Sequence, residues 1–491
     1  PSRDRELNST PSPTTAGRRG GIWESELPRA RAPRRRALGA VRLCRAACSD
    51  ESPRPSSVGL VIIDTLRADK VSSYGSEVDT SPALTILAEQ GVQFDSVIAQ
   101  SSWTLPSVGS MLTSRYPRSL GLKQEDGQMV PDEAVTLAEI LQHEGYATFG
   151  ITANPNLNSR YNFHQGFDHY TDSSVVFHRR GARIPEGSIS YLKAPLRSAP
   201  EIFAETLEFA RALGGDRPGY IQLNLMEVHE WRKPDQYLRP EYRGLFKGKA
   251  SASYLCAIRQ ITDDTVAFIH DLASLPGWED TLFIVTSDHG EGLEDHPDVE
   301  RSMGHGSLLY GSHIRVPWIV YNPIWQRETS QRPSVRRVVA PLRLLDLVPT
   351  TLDAVGVPVP PECRGASAWP LAMGQTDRVD TPEFMVTETY FRGADKISVV
   401  GAQWQYIHNR VKHPGVPRHE LQANDQRPNG IQTDASSTQR GEVRRMRSFL
   451  EDWELRYPPA KPVPLVGDLS PETEGQLKAI GYLGGNEDGD D

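Results

Sequence analysis

The chain has 491 residues, more than the roughly 250–300 at which single hydrophobic cores stop growing, so we expect two domains. Apolar residues make up 38% of the sequence, enough for a globular core, and the formal net charge of −9 argues against a nucleic-acid-binding protein. No stretch approaches the roughly 18 consecutive apolar residues of a transmembrane helix, so we expect no transmembrane segment.

The first 57 residues differ in composition from the rest, being rich in Arg, Pro and Ser and lacking Lys. Such a segment buries too little apolar surface to fold alone, and we expect it to be disordered. Its end, Leu43-Cys-Arg-Ala-Ala-Cys48, is similar to the lipidation site of a bacterial lipoprotein signal, although the apolar run that precedes such a site is missing. Two alternatives follow: an exported protein, periplasmic or lipid-anchored, or a cytoplasmic protein with a misassigned upstream region.

From residue 58 onward, strand-like and helix-like patterns alternate. Short β-branched runs without polar alternation predict strands buried on both faces at residues 58–63 and 281–286. Further strands are predicted at residues 92–98, 147–152, 220–226 and 316–321. Helices are predicted at residues 82–91, 107–112, 137–145 and 254–275. The alternation predicts an α/β fold with a large, mostly parallel (mixed) sheet flanked by helices.

A smaller unit is predicted after the Pro/Gly-rich linker Val355-Gly-Val-Pro-Val-Pro-Pro361. Short strand-like runs at residues 386–390, 397–400 and 404–407 favour a second, smaller sheet. We therefore expect a main domain over residues 58–375, a C-terminal α+β subdomain over 376–482 and a solvated acidic tail over 483–491.

Two of the predicted strands end in residue types that bind metals. The run that starts at Val58 ends at Asp64, and the run that starts at Thr281 ends at Asp288 and His289. Because the carboxyl ends of parallel strands meet at one edge of a sheet, we expect these side chains to share a crevice. Two carboxylates and an imidazole together predict a divalent metal site, which favours a metallohydrolase.

Thr104 is the candidate nucleophile. It lies in Ser102-Trp-Thr-Leu-Pro106, directly before a predicted helix, where backbone N–H groups and the helix dipole favour an anion. A metal beside the hydroxyl would lower its pKa and make it a nucleophile. The alternative is structural, because a Thr before a helix is most often a cap.

A series of motifs extends this pattern over nearly all of the predicted folded chain. In order they are Ile63-Asp-Thr-Leu-Arg-Ala-Asp, Thr80-Ser-Pro, Ser101-Ser-Trp-Thr-Leu-Pro-Ser, Met111-Leu-Thr-Ser-Arg-Tyr-Pro, Ser287-Asp-His-Gly-Glu, Gly304-His-Gly, Arg315-Val-Pro, Asp346-Leu-Val-Pro-Thr and Leu477-Lys-Ala-Ile-Gly-Tyr-Leu. In this order and spacing they resemble the sulfatase branch of the alkaline phosphatase superfamily, which implies that superfamily's fold.

The resemblance also implies roles for single residues. Thr104 occupies the nucleophile position, and the residues at the two strand ends occupy metal-ligand positions. His229 corresponds to a histidine that contacts the anionic group of the substrate, and His305 to a further active-site histidine. Asn154 and Glu227 are our candidates for substrate binding, and Glu227 is close enough in sequence to orient His229. For both histidines the alternative is a surface or structural residue.

The sequence departs from the sulfatase pattern at several positions. Sulfatases oxidise a Cys or Ser to formylglycine, but this chain has Thr104 there, with Val108 at the position of the following Arg. Thr65 replaces the second Asp of the usual pair, and no Lys follows Gly304-His-Gly. Sulfate hydrolysis by the formylglycine route is therefore disfavoured.

Related branches of the superfamily do use Thr. Nucleotide pyrophosphatases employ it with two zinc ions, and lipoteichoic acid synthases and phosphoethanolamine transferases employ it with one metal. Asp64, Thr104, Asp288 and His289 match the one-metal set, so the resemblance implies one divalent ion, Mn, Zn or Ca. A second metal is possible but not favoured: His305, Glu227 and His229 could contribute ligands, but a full second set cannot be assembled from the sequence.

The favoured function is metal-dependent hydrolysis of an anionic ester through a covalent Thr intermediate, with a phosphoester or phosphonate ester preferred to a sulfate ester. The substrate would be a small molecule or a glycan, and the oligomeric state is left open. Three alternatives remain: a phosphoryl transferase to an acceptor alcohol, a sulfatase with an atypical nucleophile, and an inactive member that only binds.

Overall fold

The computed structural model describes residues 56–122, 128–172, 196–293, 295, 304–328, 331–378, 381–411, 416–424, 434–465 and 475. The Arg/Pro-rich segment up to residue 55, with the lipoprotein-like site, and the acidic tail lie outside the described residues, so both stay predictions. Within the described part of the chain, no helix combines the length and the hydropathy needed to cross a bilayer.

A large mixed sheet forms the centre of the molecule. Its described strands follow the spatial order β10-β2-β8-β7-β1-β6-β4-β5, and β9 also pairs with β2. All pairs are parallel except those of β8, which runs antiparallel to β7 and β2. The strands are β1 Ser57–Ile63, β2 Val92–Ile98, β4 Ala147–Thr152, β5 His169–Thr171, β6 Gly219–Leu225, β7 Thr281–Thr286, β8 Arg315–Tyr321, β9 Arg337–Val338 and β10 Leu342–Arg343.

Two smaller sheets complete the strand inventory of the described residues. An antiparallel meander contains β11 Met385–Thr389, β12 Lys396–Val400, β13 Trp404–Asn409 and β14 His419–Ala423. A short pair joins β3 Gln128–Met129 to β15 Val463–Pro464. The predicted smaller C-terminal sheet is thus present, whereas the domain boundary near residue 376 stays a prediction.

Helices cover both faces of the large sheet. Apolar side chains from opposite faces of its strands enter two separate buried clusters, for example Leu60 on one side and Val61 on the other. The described helices are α1 Pro82–Gln90, α2 Thr104–Thr113, α3 Pro117–Leu120, α4 Leu137–His143, α5 Ala199–Leu213, α6 Pro234–Tyr237, α7 Ala252–Ala273, α8 Gly311–Ile314, α9 Ile324–Arg327, α10 Leu347–Ala354, α11 Trp369–Ala372 and α12 Arg440–Arg456.

The predicted α/β class is confirmed, and the differences are local. Helix α2 begins at Thr104, three residues before the predicted start at 107, because Pro106 is tolerated in a first helical turn where its missing N–H is not needed. Helix α12 was not predicted from the sequence. It is strongly charged and buries only Met446, Leu450 and Trp453, so its apolar stripe is narrow.

Candidate metal centre and active site

The three predicted ligands meet at the carboxyl edge of the large sheet because their strands are neighbours. Strand β1 lies between β7 and β6, with Ile62 beside Thr286 on one side and Ile63 beside Leu225 on the other. Asp64 therefore leaves β1 next to Asp288, which follows β7. This is the edge at which ligands bind in open α/β sheets.

Asp64, Asp288 and His289 form a compact, fully buried cluster. One ligand atom from each lies within 4.8 Å of the others. The Nε2 atom of His289 is 3.3 Å from Asp288 Oδ2 and 4.0 Å from Asp64 Oδ1. Burial, followed by the nearby charge of Asp288, raises the pKa of Asp64 to about 6. Two carboxylates are thus held close together in a site that disfavours their charges.

Each carboxylate is fixed through one oxygen and presents the other toward the cluster. Asp64 Oδ2 accepts from Asn154 Nδ2 at 2.7 Å, and Asp288 Oδ1 accepts from the amides of Thr65 and His289 at 3.2 and 2.9 Å. The remaining oxygens, Oδ1 of Asp64 and Oδ2 of Asp288, are buried and accept no hydrogen bond from any residue that the structure describes. Such atoms are costly unless something external satisfies them.

This donor set fits a divalent cation. His289 Nδ1 lies 2.9 Å from the carbonyl oxygen of Gly290, which places the ring hydrogen on Nδ1 and leaves the lone pair of Nε2 toward the two free carboxylate oxygens. Two oxygens and one imidazole nitrogen are ligands that Mn, Zn and Ca sites use. The described residues thus contain a candidate metal centre, as expected from the strand ends.

A strained turn keeps Asp64 in place. Thr65 follows it with φ +58°, a left-handed conformation that is rare for a β-branched residue. The turn is held by the Thr65 amide on Asp288 and by Tyr254, whose hydroxyl donates to the Thr65 carbonyl at 2.6 Å. Strain of this kind persists only where the surroundings over-determine it, and it concentrates at functional sites.

Thr104 lies directly beside the cluster. Its Oγ1 is 3.3 Å from His289 Nε2 and 3.3 Å from Asn154 Nδ2, and the residue is fully buried. Trp103, not Thr104, is the cap of α2, so the hydroxyl belongs to the first helical residue and sits at the positive end of the helix dipole. Ser107, one turn later, donates to the Asp288 carbonyl at 2.6 Å and joins the helix to the metal-ligand loop.

Asn154 therefore contacts two site residues at once. It follows β4, the strand on the far side of β6, and its Nδ2 donates to both Asp64 and Thr104. The sequence suggested Asn154 only as a substrate contact. The structure adds that its amide links the candidate nucleophile to a candidate ligand.

His229 and His305 extend the site from the cluster outward. The ring of His305 is 4.6 Å from that of His289 and 5.1 Å from that of His229. Burial lowers the pKa of His305 to about 4 despite the nearby carboxylate of Glu291. Burial also opposes the charged form of His229, but its hydrogen bond to Glu230 and the charge of Asp64 outweigh this and raise its pKa.

The carboxylate beside His229 is not the one expected. His229 Nδ1 lies 3.0 Å from Glu230 Oε1, whereas Glu227 Oε1 accepts from the Ala199 amide at the start of α5. Burial raises the pKa of Glu227 to about 7. The orienting contact that we expected from Glu227 is thus made by Glu230, and a substrate contact by Glu227 stays a prediction.

Glu291 is a further buried site residue that the sequence analysis missed. Its Oε2 faces His305 Nδ1 at 3.5 Å, Trp231 Nε1 at 3.4 Å and an Arg232 guanidinium nitrogen at 3.8 Å. Burial would raise its pKa, but His305 and Arg232 lower it well below the usual range. Its position two residues after His289 was the one available signal.

Comparison with known proteins agrees with this architecture. The family model for sulfatases matches residues 57–357, more than half of the chain. Among curated relatives, a Δ4,5-hexuronate-2-O-sulfatase of Bacteroides thetaiotaomicron is 21% identical over 386 residues, covering 70% of this chain and 77% of that protein. An arylsulfatase of Clostridium perfringens is 22% identical over 379 residues, covering 63% and 77%.

Solved structures share the fold at low identity. The phosphonate monoester hydrolase of Silicibacter pomeroyi superposes with a TM-score of 0.62 at 18% identity, over 83% of this chain and 96% of that one. Ps i-CgsB, solved in complex with k-i-k-neocarrahexaose, superposes with a TM-score of 0.61 at 17% identity, over 87% and 98%.

The family match and the sulfatase relatives define an ester-hydrolysing enzyme, here with an α/β fold built on the mixed sheet. The chain belongs to the sulfatase family.

Proposed function

We propose that this enzyme hydrolyses an anionic ester through Thr104, with one divalent metal held by Asp64, Asp288 and His289. A phosphoester or phosphonate ester is favoured over a sulfate ester. The observation that supports this most directly is the position of Thr104 Oγ1, 3.3 Å from the ring nitrogen of a candidate metal ligand and at the start of α2.

The chemistry of Thr argues against an aldehyde nucleophile. Oxidising Cβ of a Thr would give a ketone, because that carbon also carries a methyl group. The hydroxyl of Thr104 is then the group that attacks, and it needs help to lose its proton. Asn154 donates to Oγ1 and the N-terminus of α2 lies beside it, so both favour the alkoxide. A bound divalent cation would supply further charge stabilisation at this oxygen and at the non-bridging oxygens of the substrate.

The proposed reaction has two displacement steps. In the first, the Thr104 alkoxide, whose proton is released to water beforehand, forms the Oγ1–P bond and the P–O bond to the leaving alcohol breaks, while a site histidine, His229 or His305, gives that alcohol its proton. In the second, a water oxygen attacks phosphorus and gives one proton back to the neutral histidine, and the Thr104 Oγ1–P bond breaks to restore the alkoxide. The same steps apply with sulfur in place of phosphorus.

The preference for phosphorus rests on the residue at position 104 and on the fold of a phosphonate monoester hydrolase. The names of the curated relatives favour a second candidate, hydrolysis of a sulfate ester on a sugar by the same Thr. Ps i-CgsB is solved in complex with k-i-k-neocarrahexaose, which supports a glycan as one substrate class to test.

A comparative assay tests the proposal. Wild type, Thr104→Ala and Thr104→Ser are assayed on a para-nitrophenyl phosphodiester, phosphonate monoester and sulfate, with Mn, Zn or Ca supplied separately. Thr104→Ser is the matched control, because it keeps the hydroxyl and removes only the methyl group. We expect phosphorus-ester turnover that falls at least about 10³-fold in Thr104→Ala and persists in Thr104→Ser.

Other outcomes separate the alternatives. Turnover of the sulfate alone would overturn the phosphorus preference. Product that forms only when an acceptor alcohol such as glycerol is present would indicate a transferase. Turnover that is unaffected in Thr104→Ala would contradict the Thr nucleophile itself.

A further inference from the structure

A buried carboxylate that pairs with a lysine lies immediately beside His229. Glu230 Oε1 is 3.0 Å from His229 Nδ1, and its Oε2 accepts from Lys233 Nζ at 2.6 Å. The Glu230 side chain is 3% exposed, whereas that of Lys233 is 43% exposed. One carboxylate thus connects a buried imidazole to a cation near the surface.

Two backbone hydrogen bonds hold Glu230 in place. Its amide donates to the Met226 carbonyl at 3.0 Å, and its own carbonyl accepts from the Lys233 amide at 2.9 Å. These turns follow directly after β6, the strand that pairs with β1 and so lies next to the metal-ligand edge. The backbone therefore fixes the carboxylate relative to the same sheet that positions Asp64.

From this arrangement we propose that Glu230 is a positioning residue that makes His229, rather than His305, the general acid for the leaving group. The inference rests on the proposed function above. A carboxylate only accepts hydrogen bonds, so the hydrogen of His229 that faces Glu230 sits on Nδ1. The opposite nitrogen, Nε2, is then the atom that carries the transferable proton when the ring is an imidazolium.

The contrast with His305 supports the assignment to His229. The carboxylate that faces His305, on Glu291, lies 3.5 Å from its Nδ1 and is shared with Trp231 and Arg232. Its charge is therefore divided among several donors. Glu230 makes a closer contact with its histidine, at 3.0 Å, and its other oxygen faces Lys233.

The proton transfer balances without any further reactant. As the P–O bond to the leaving group breaks, the leaving oxygen takes the proton from His229 Nε2, and the neutral ring keeps its Nδ1 hydrogen on Glu230. The incoming water that later attacks the Thr104 ester gives a proton back to Nε2. A leaving group that is a weak base departs readily without this proton, whereas an alkoxide departs much more slowly unless it is protonated.

Leaving-group dependence tests the role. Wild type and Glu230→Gln are assayed on the methyl and para-nitrophenyl esters of phenylphosphonic acid, or of sulfuric acid if wild type turns over only sulfates. We expect Glu230→Gln to lower kcat for the methyl ester by about 10²-fold and for the nitrophenyl ester by less than about fivefold, with little change in KM. Glu230→Asp, which keeps the charge, should recover part of the loss, and it carries the test if Glu230→Gln does not fold.

Two comparisons make the result specific. Glu454→Gln breaks a different ion pair, with Arg118 and Arg410, and should leave the ratio of the two esters unchanged. In a His229→Gln background, adding Glu230→Gln should cost nothing more, because the two residues act as one unit.

The inference and the proposed function fail in different ways. An equal loss on both esters, in an enzyme that still depends on Thr104, would overturn the role of Glu230 and leave the Thr mechanism standing. Turnover that does not depend on Thr104, or none on any ester, would overturn the proposed function and this inference together.

Discussion

Two groups of buried acidic residues in this molecule are satisfied in opposite ways. Where helix α3 meets the small sheet, Glu388 is 1% exposed and receives Arg118 through its amide and guanidinium, both at 2.9 Å. At the carboxyl edge of the large sheet, Asp64 and Asp288 are equally buried, yet each keeps one oxygen to which no described residue donates a hydrogen bond.

The difference shows what each region is built for. A buried carboxylate that is paired with a guanidinium needs no further partner, and the fold is strongly destabilised if that pair is broken. A pair of carboxylates that face each other beside an imidazole is incomplete without an external cation. The candidate metal centre is therefore locally unstable without a cation. We expect mutation and metal to change the free energy of unfolding at this site in the opposite sense from the Glu388–Arg118 pair.

The largest expected effect is on catalysis at the candidate metal centre. Asp288→Asn removes one charge from the ligand set with almost no change in volume. We expect kcat/KM on the best ester to fall by about 10³-fold or more, because each lost 1.36 kcal/mol of transition-state stabilisation costs about tenfold. Added metal should not restore the rate. A loss of less than tenfold would remove Asp288 from the ligand set.

The largest effect on stability is expected at the Glu388–Arg118 pair. Glu388→Gln leaves the buried Arg118 without its charge partner, and we expect the free energy of unfolding to fall by about 3 kcal/mol. Chemical denaturation at matched metal concentration measures this change, while the metal dependence of activity should stay as in wild type. A variant as stable as wild type would show that the pair contributes no net stabilisation.

Metal should stabilise the protein only by binding at the candidate metal centre. At a metal concentration about 100-fold above Kd, the free energy of unfolding should rise by about 2.7 kcal/mol in wild type and in Glu388→Gln. Asp288→Asn should lose this gain. Thermal melts with and without EDTA measure it, and a shift that persists in Asp288→Asn would place the bound ion elsewhere.

The smallest effect has the most diagnostic sign. In metal-free protein, Asp64→Asn removes one of two facing carboxylates, so we expect the free energy of unfolding to rise by about 1–2 kcal/mol. Glu388→Gln should move the same quantity in the opposite direction. Denaturation in EDTA compares the two, and a destabilised Asp64→Asn would contradict the view that this site is strained without a cation.

Much of this arrangement was readable from the sequence, for a physical reason. Buried parallel strands appear as unbroken β-branched runs, so their ends, and with them Asp64, Asp288 and His289, are marked by an abrupt change in residue type. The sheet order then brings those ends together. Thr104 was visible as the polar residue before a helix, although the exact helix start was not.

Other features could not be read because they depend on how the chain turns. Glu227 and Glu230 both flank His229 in sequence, and only the turn after β6 decides that Glu230 faces the ring while Glu227 reaches Ala199. Helix α12 escaped prediction since its three buried residues are separated by charged ones. In both cases the missing information is tertiary, not local.

Metal analysis of purified protein tests the central claim most directly. Wild type, Asp288→Asn and Glu388→Gln are saturated with Mn, Zn or Ca, desalted, and measured by inductively coupled plasma mass spectrometry. The account predicts about one ion per chain in wild type and Glu388→Gln, and almost none in Asp288→Asn. Equal metal in all three proteins, or none in wild type, would contradict it.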